Sequence, residues 1–132
     1  MPDRDCFCGS GKMFSECCKP FISGEQNAPT AEQLMRSRYS AYATAAVEYL
    51  IKTCHPDIRD ENSEKSLLKW CKSNQWKKLS IISTYKGNVN DTEGEVTFKA
   101  FYLDSKFKLH EHKEHSYFVK EDGCWLYSRG DL

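Results

Sequence analysis

"PTAEQLMRSRYSAYAT", Pro29 to Thr44, carries the clearest structural signal in this chain. Thr30 suits a helix N-cap, and Gln33 three residues later completes a capping box. The helix expected over Ala31–Thr44 places Leu34, Met35, Arg38, Tyr39, Ala41 and Tyr42 on one broad face, with Ala45 just beyond it. Arg38 sits in the middle of that apolar stripe, while Arg36 falls on the charged side. A guanidinium buried there must be paired, because an unpaired buried charge costs several kcal/mol.

Downstream, "AAVEYLIKTC" reads as a second short helix that ends before His55-Pro56, and a third is expected near Ser63 to Asn74. After Trp76 the pattern turns to strands. "GEVTFKAFYL" alternates, with Val96, Phe98, Ala100 and Tyr102 on one face. "KLSIISTYKG", "HSYFVKE" and "CWLYSR" supply three more strands, and Asp104-Ser105 and Asp122-Gly123 supply turns. Helices first and antiparallel strands after give an α+β fold, with a curved sheet wrapped around the helices. Glu114 shares a strand face with Ser116 and Phe118, so Glu114 is the expected partner of Arg38.

Upstream lies "CFCGSGKMFSECC", Cys6 to Cys18, which holds four of the chain's seven cysteines. Zinc prefers four soft ligands in a tetrahedron. Cys6 and Cys8 can ligate from one turn that Gly9 and Gly11 let fold tightly. Cys17 and Cys18 would return on a short helical turn begun near Ser15. Four thiolates on one zinc leave a charge of about −2, which Arg4, Lys12 and Lys19 could offset. Such a closed site is structural. It supplies free energy, of order 10 kcal/mol, to a unit too small to fold alone. A redox dithiol would more often show C-x-x-C. A P-loop lacks its first glycine, and Met13 stands where Ser or Thr would bind magnesium.

The charge is balanced, 19 basic against 19 acidic residues, so the composition makes no case for nucleic acid. Arg4, Lys12, Lys19 and Phe7 could form an RNA-binding patch, but Asp3, Asp5 and Glu16 cancel most of its charge. No stretch reaches the roughly 18 apolar residues of a membrane span. The polar N-terminus shows no signal peptide. A cytoplasmic protein with reduced thiols is expected, and seven cysteines fit a complete disulfide framework poorly.

The pattern C-x-C-G-S-G-K-x-x-x-x-C-C, from Cys6 to Cys18, resembles the SEC-C motif of the translocation ATPase SecA and many bacterial proteins. The resemblance implies zinc ligation by Cys6, Cys8, Cys17 and Cys18, and a protein partner such as a chaperone or the ribosome. Phe7 replaces the usual proline, and Cys18 stands where histidine is frequent. The helix-then-strand order resembles the cone-shaped NTF2-like fold. "PTAEQLMRSRYSAY", "EYLIKTCHP", Glu114-x-Ser116-x-Phe118 and "EDGCWLY" together resemble the YchJ family, which joins a SEC-C motif to an NTF2-like domain. His115, Tyr117 and Cys54 depart from that family's usual residues. The implied organisation is a SEC-C zinc knuckle over residues 1–22 and an NTF2-like domain over 29–132. NTF2-like domains often dimerise through their sheets, so a homodimer is a further expectation.

No nucleophile–base pair is visible, and no catalytic residue is assigned. His110, His112 and His115 lie in the charged stretch "KFKLHEHKEHS", which reads as a solvated strand or bulged hairpin before it reads as a metal site. His55 reads as a helix cap, and the Arg129-Gly130-Asp131 tripeptide as chance. The first functional expectation is therefore a non-catalytic adaptor with one structural zinc. The alternative is an enzyme or small-ligand binder using a cavity at Arg38, Tyr39, Tyr42, Glu114 and Ser116. An open cavity there would favour the alternative, and one filled by Phe98, Phe118 and Trp125 would exclude it.

Overall fold

The computed structural model describes residues 4–59 and 64–131. Asp3 of the expected patch and Ser63 at the expected helix start lie outside the described residues. The chain begins with a loop closed by an Asp5–Met13 antiparallel bridge. A 3-10 turn, Phe14–Glu16, and helix α1, Lys19–Ile22, then flank the Cys17-Cys18 pair.

Helix α2 spans Ala31–Thr44. The Thr30 hydroxyl accepts the Gln33 amide proton and donates to the Gln33 side-chain oxygen, both at 3.1 Å, so the capping box forms. At the other end Ala45 adopts a left-handed conformation, φ 56°. The Ala46 amide reaches back to the Ala41 carbonyl at 2.8 Å, a Schellman-like stop. This stop takes two residues from the front of the second helix, and α3 is only Val47–Lys52. Helices α4, Pro56–Arg59, and α5, Glu64–Ser73, follow.

Four strands complete the fold: β1 Gln75–Lys86, β2 Glu93–Leu103, β3 Leu109–Glu121 and β4 Cys124–Asp131. They form one antiparallel sheet in the order β1-β2-β3-β4. Strand β3 runs unbroken from Leu109, so the charged stretch read as a solvated strand or bulged hairpin is strand, and its charges pair within the sheet surface. Lys99 meets Glu111 at 3.1 Å, and His115 meets Glu95 at 2.6 Å. Asp122 and Gly123, both at positive φ, close the β3–β4 hairpin.

Helix α2 touches β1, β2 and β4. Strands β1 and β4 are opposite edges of the sheet, so the sheet must curl around the helix. Val96, Phe98, Ala100, Phe118 and Trp125 face inward and are buried. The β4 edge is covered by the segment after α3: Tyr127 donates to the Thr53 carbonyl at 2.7 Å, and His55 donates to the Tyr127 carbonyl at 2.8 Å. The His55 ring accepts the Asp57 amide on Nδ1 at 3.1 Å and donates from Nε2 to Glu121 at 2.7 Å. It therefore pins the start of α4 to the sheet. No helix among the described residues is long and apolar enough to cross a membrane.

The β1–β2 hairpin approaches α2 at Gly87 and Gly94. A Cβ on Gly94 would lie 2.5 Å from the Gly87 Cα and 3.1 Å from the Ala31 Cβ. Both neighbours are held by the Ala31 amide bond to the Gly87 carbonyl at 2.9 Å. Gly94→Ala is expected to destabilise the protein by about 1–3 kcal/mol, seen as a lower urea midpoint at unchanged slope.

Candidate functional site

Two sites lie on opposite sides of α2. The first is the cysteine cluster. The Sγ atoms of Cys6, Cys8, Cys17 and Cys18 all lie within 4.8 Å of one another. Cys8 and Cys17 are 3.7 Å apart, and Cys17 and Cys18 are 3.9 Å apart. A tetrahedron with metal–sulfur bonds of about 2.3 Å has sulfur–sulfur edges of about 3.8 Å. These spacings are far too long for disulfides, whose S–S bond is about 2.05 Å, and the four donors fit a single tetrahedral metal ion. Gly9 and Gly11 turn the loop with φ 78° and 86°.

Thiols this close cannot hold their charges alike. The Cys18 thiol, donating to Cys6 and Cys8, is pushed well above the usual range, and Cys8, receiving from Cys18, is pushed well below it. Burial pushes Cys17 up, and the Ser10 hydroxyl, 3.2 Å from its sulfur, partly counters that. A metal cation would replace the shared protons.

The loop docks on the side of α2 that carries Arg36, which the sequence reading took as the charged side. Arg36 donates to the Cys8 carbonyl at 2.9 Å while its Nε holds Glu32 at 3.0 Å. Ser40, fully buried, meets the Cys6 sulfur at 3.6 Å. Glu32, Arg36 and Ser40 are spaced four apart and form one helix face. Cys6, Cys8 and Cys18 share one buried cluster with Leu34, Met35 and Tyr39. Arg4, one of the expected counter-charges, lies instead over the Phe7 ring at 3.8 Å.

The second site is a cavity of about 380 Å³ inside the curled sheet. Arg38, Tyr39, Tyr42 and Glu114 line it, as do Trp70, Trp76 and Tyr102. Phe98 contributes to a wall, whereas Phe118 and Trp125 pack elsewhere in the core. Ser116 does not reach the surface: it is fully buried and donates to Glu114 from behind.

The expected Arg38–Glu114 ion pair does not form. Arg38 Nη1 donates to the Leu50 carbonyl at 2.9 Å and to Thr53 Oγ1 at 2.7 Å, at the C-terminal end of α3. Tyr127 stands between the two expected partners. Its ring lies 4.9 Å from the Arg38 guanidinium, and its hydroxyl donates to Glu114 at 2.9 Å. Glu114 also receives Ser116, and His112 at 3.1 Å. Gly130 makes this possible, since a Cβ there would collide with the Glu114 carboxylate and the Tyr127 hydroxyl. The glycine of the Arg-Gly-Asp tripeptide thus has a steric role. Sequence spacing gave no hint of Tyr127 or Gly130 at this site, because β4 carries no polar alternation.

His110, His112 and His115 do not converge. They contact Asp104 at 2.8 Å, Glu114 at 3.1 Å and Glu95 at 2.6 Å respectively.

A four-cysteine site docked on a helix-and-sheet cone defines a class, the SEC-C motif proteins with an NTF2-like domain. The solution structure of a SEC-C motif containing protein from Rhodopseudomonas palustris matches with a TM-score of 0.89 at 31% identity over 98% of both chains. The crystal structure of another, from Psychrobacter arcticus, matches with a TM-score of 0.78 at 29% identity, covering 92% of this chain and 73% of that one. The family described as "YchJ, middle NTF2-like domain" matches residues 30–130. A UPF0225 protein of Geobacter sulfurreducens is 45% identical over 125 residues, covering 95% of this chain and 77% of the relative. One from Vibrio cholerae is 40% identical, covering 96% and 82%. The chain belongs to the YchJ family.

Burial pushes the Glu114 carboxyl up, but hydrogen bonds from His112, Ser116 and Tyr127 outweigh it and hold the group below its ordinary value of 4.5. A depressed folded pKa contributes stability above the unfolded value, and that stability is lost as pH falls through the folded one. The stability gap between wild type and Glu114→Gln should therefore be full near neutrality and shrink below pH 4.5, measured by urea unfolding at each pH.

Proposed function

We propose that the protein is a small-ligand binder built on an NTF2-like cone, with a structural zinc in its SEC-C unit. The observation that carries this reading is the open cavity beside Arg38, Tyr42 and Glu114. A buried guanidinium and a largely covered carboxylate at one cavity wall are costly to place, and the cavity volume lies within the range of ligand pockets. Zinc is the metal that best suits four thiolates in a closed tetrahedral set. With four protein donors it has no open position, so its role is to hold the loop.

Two measurements test the two halves. Freshly purified protein should contain one zinc ion per chain, and a Cys17→Ser, Cys18→Ser variant should lose it and melt at lower temperature. Protein without zinc would contradict the metal assignment. For the cavity, the indole N–H signals of Trp70 and Trp76 should shift in NMR spectra on adding a mixture of small aromatic compounds. The Trp125 signal, whose indole donates to the Pro29 carbonyl at 3.1 Å away from the cavity, should stay in place.

The adaptor remains a second reading, supported by the tip of the cysteine unit. Met13 is 39% exposed there, beside the Phe7–Phe14 ring pair and the Arg4 cation. A protein partner captured through this tip should be lost from Met13→Asp but not from cavity variants.

A further inference from the structure

The polar groups of the cavity are unevenly satisfied. Glu114 accepts three hydrogen bonds from the protein's own His112, Ser116 and Tyr127. It has little need of a cationic ligand. Arg38 is in the opposite condition. It is 5% exposed, and its hydrogen-bond partners Leu50 O and Thr53 Oγ1 are neutral. No carboxylate among the described residues forms an ion pair with it. A guanidinium carries five N–H donors in a planar fork. Nη1 makes the two bonds above, the Cys54 side chain takes a further one, and the Tyr127 ring lies 4.9 Å away, so the fork is not filled and faces no carboxylate among the described residues.

Tyr42 adds a second donor. Its hydroxyl makes no hydrogen bond among the described residues, and burial pushes its pKa up, so the group keeps its proton. Arg38 and Tyr42 are neighbours on the cavity wall and influence each other electrostatically. The unused capacity of the cavity is therefore N–H and O–H donors around one buried positive charge, and such a set calls for an anionic acceptor.

The rest of the lining is flat and apolar. Trp76 lies 5.4 Å from Tyr42, 5.2 Å from Tyr102 and 6.3 Å from Trp70, centroid to centroid. Trp70 stands at 71° to both Trp76 and Tyr102. Rings in mutual contact at such distances form one packed aromatic surface at the cavity, against which a planar body can lie. The same surface could cover an ammonium group, but the Arg38 charge opposes a cation and Glu114 is already occupied.

We infer that the cavity takes a small planar organic acid, its carboxylate on Arg38 and Tyr42 and its ring against the packed cluster of Trp70, Trp76 and Tyr102. This rests on the reading of the cavity as a ligand site. The cavity volume, about 380 Å³, is near the small end for ligand pockets and suits a single-ring acid.

The test is a tryptophan-fluorescence titration of the metal-loaded full chain with three single-ring probes of similar size: benzoate, its planar isostere benzamide, and the cation benzylammonium. Benzoate should bind about tenfold or more tighter than the other two, the worth of a charge-assisted hydrogen bond. Tyr42→Phe, which keeps the ring, should weaken benzoate by about threefold to tenfold and leave benzamide less affected. Arg38→Gln should abolish the preference for the acid. If that variant does not fold, Tyr42→Phe and the three-probe ranking still decide. Benzamide or benzylammonium binding as tightly as benzoate would overturn the acid assignment while leaving a ligand cavity standing. Binding of none of the three at millimolar concentration would overturn both.

Discussion

Helix α2 is packed on two sides: eight of its residues, Ala31–Thr44, are buried and only Thr44 is exposed. The cysteine loop covers one side through Arg36 and Ser40, and the sheet covers the other through β1, β2 and β4. A short N-terminal unit has too little surface to fold unaided. Metal binding can supply of order 10 kcal/mol to such a unit, which exceeds any other single term available to it. With the proposed metal bound, the same free energy would press the loop onto α2 through the Arg36 and Ser40 contacts. The arrangement makes the cysteine unit part of the core, since Cys6, Cys8 and Cys18 are buried with Leu34 and Tyr39.

The inner side of α2 carries Arg38, and that charge shapes the cone. The carbonyl end of α3 must stay close, because Leu50 and Thr53 supply the acceptors. Strand β4 must stay close too, because Tyr127 covers the guanidinium and holds Glu114. Gly130 leaves the room that Glu114 needs. The large apolar side chains Phe118 and Trp125 are used in the core away from the cavity, so the space beside Arg38 stays open. A cone stabilised only for packing would gain from filling that space, which is the physical reason to connect it with a ligand.

Much of this was legible in the residues. The Thr30–Gln33 box marked the start of α2, the alternation of Val96, Phe98 and Ala100 marked the inner face of β2, and the cysteine spacing marked the cluster. Arg38 was legible as buried, but its partners were not. Backbone carbonyls leave no trace in a sequence, and an aromatic face can lie against a guanidinium where a carboxylate was expected. Arg36 was missed for a related reason: with Glu32 four residues before it, it reads as an ordinary surface ion pair, and only the docked loop reveals its second bond. The charged first half of β3 was legible as a solvated strand or bulged hairpin, and the structure makes it a strand continuous with the apolar half. The stop at Ala45 was hidden because alanine rarely takes a left-handed conformation.

The claim that the metal unit holds α2 in place is tested most directly by hydrogen exchange on the full chain before and after metal removal. The amides of Ala31–Thr44 should lose protection together with those of the cysteine loop, because both faces of one helix are coupled. If exchange rises only in the loop and α2 keeps its protection, the cysteine unit is a separable appendage and the account given for the cone is wrong.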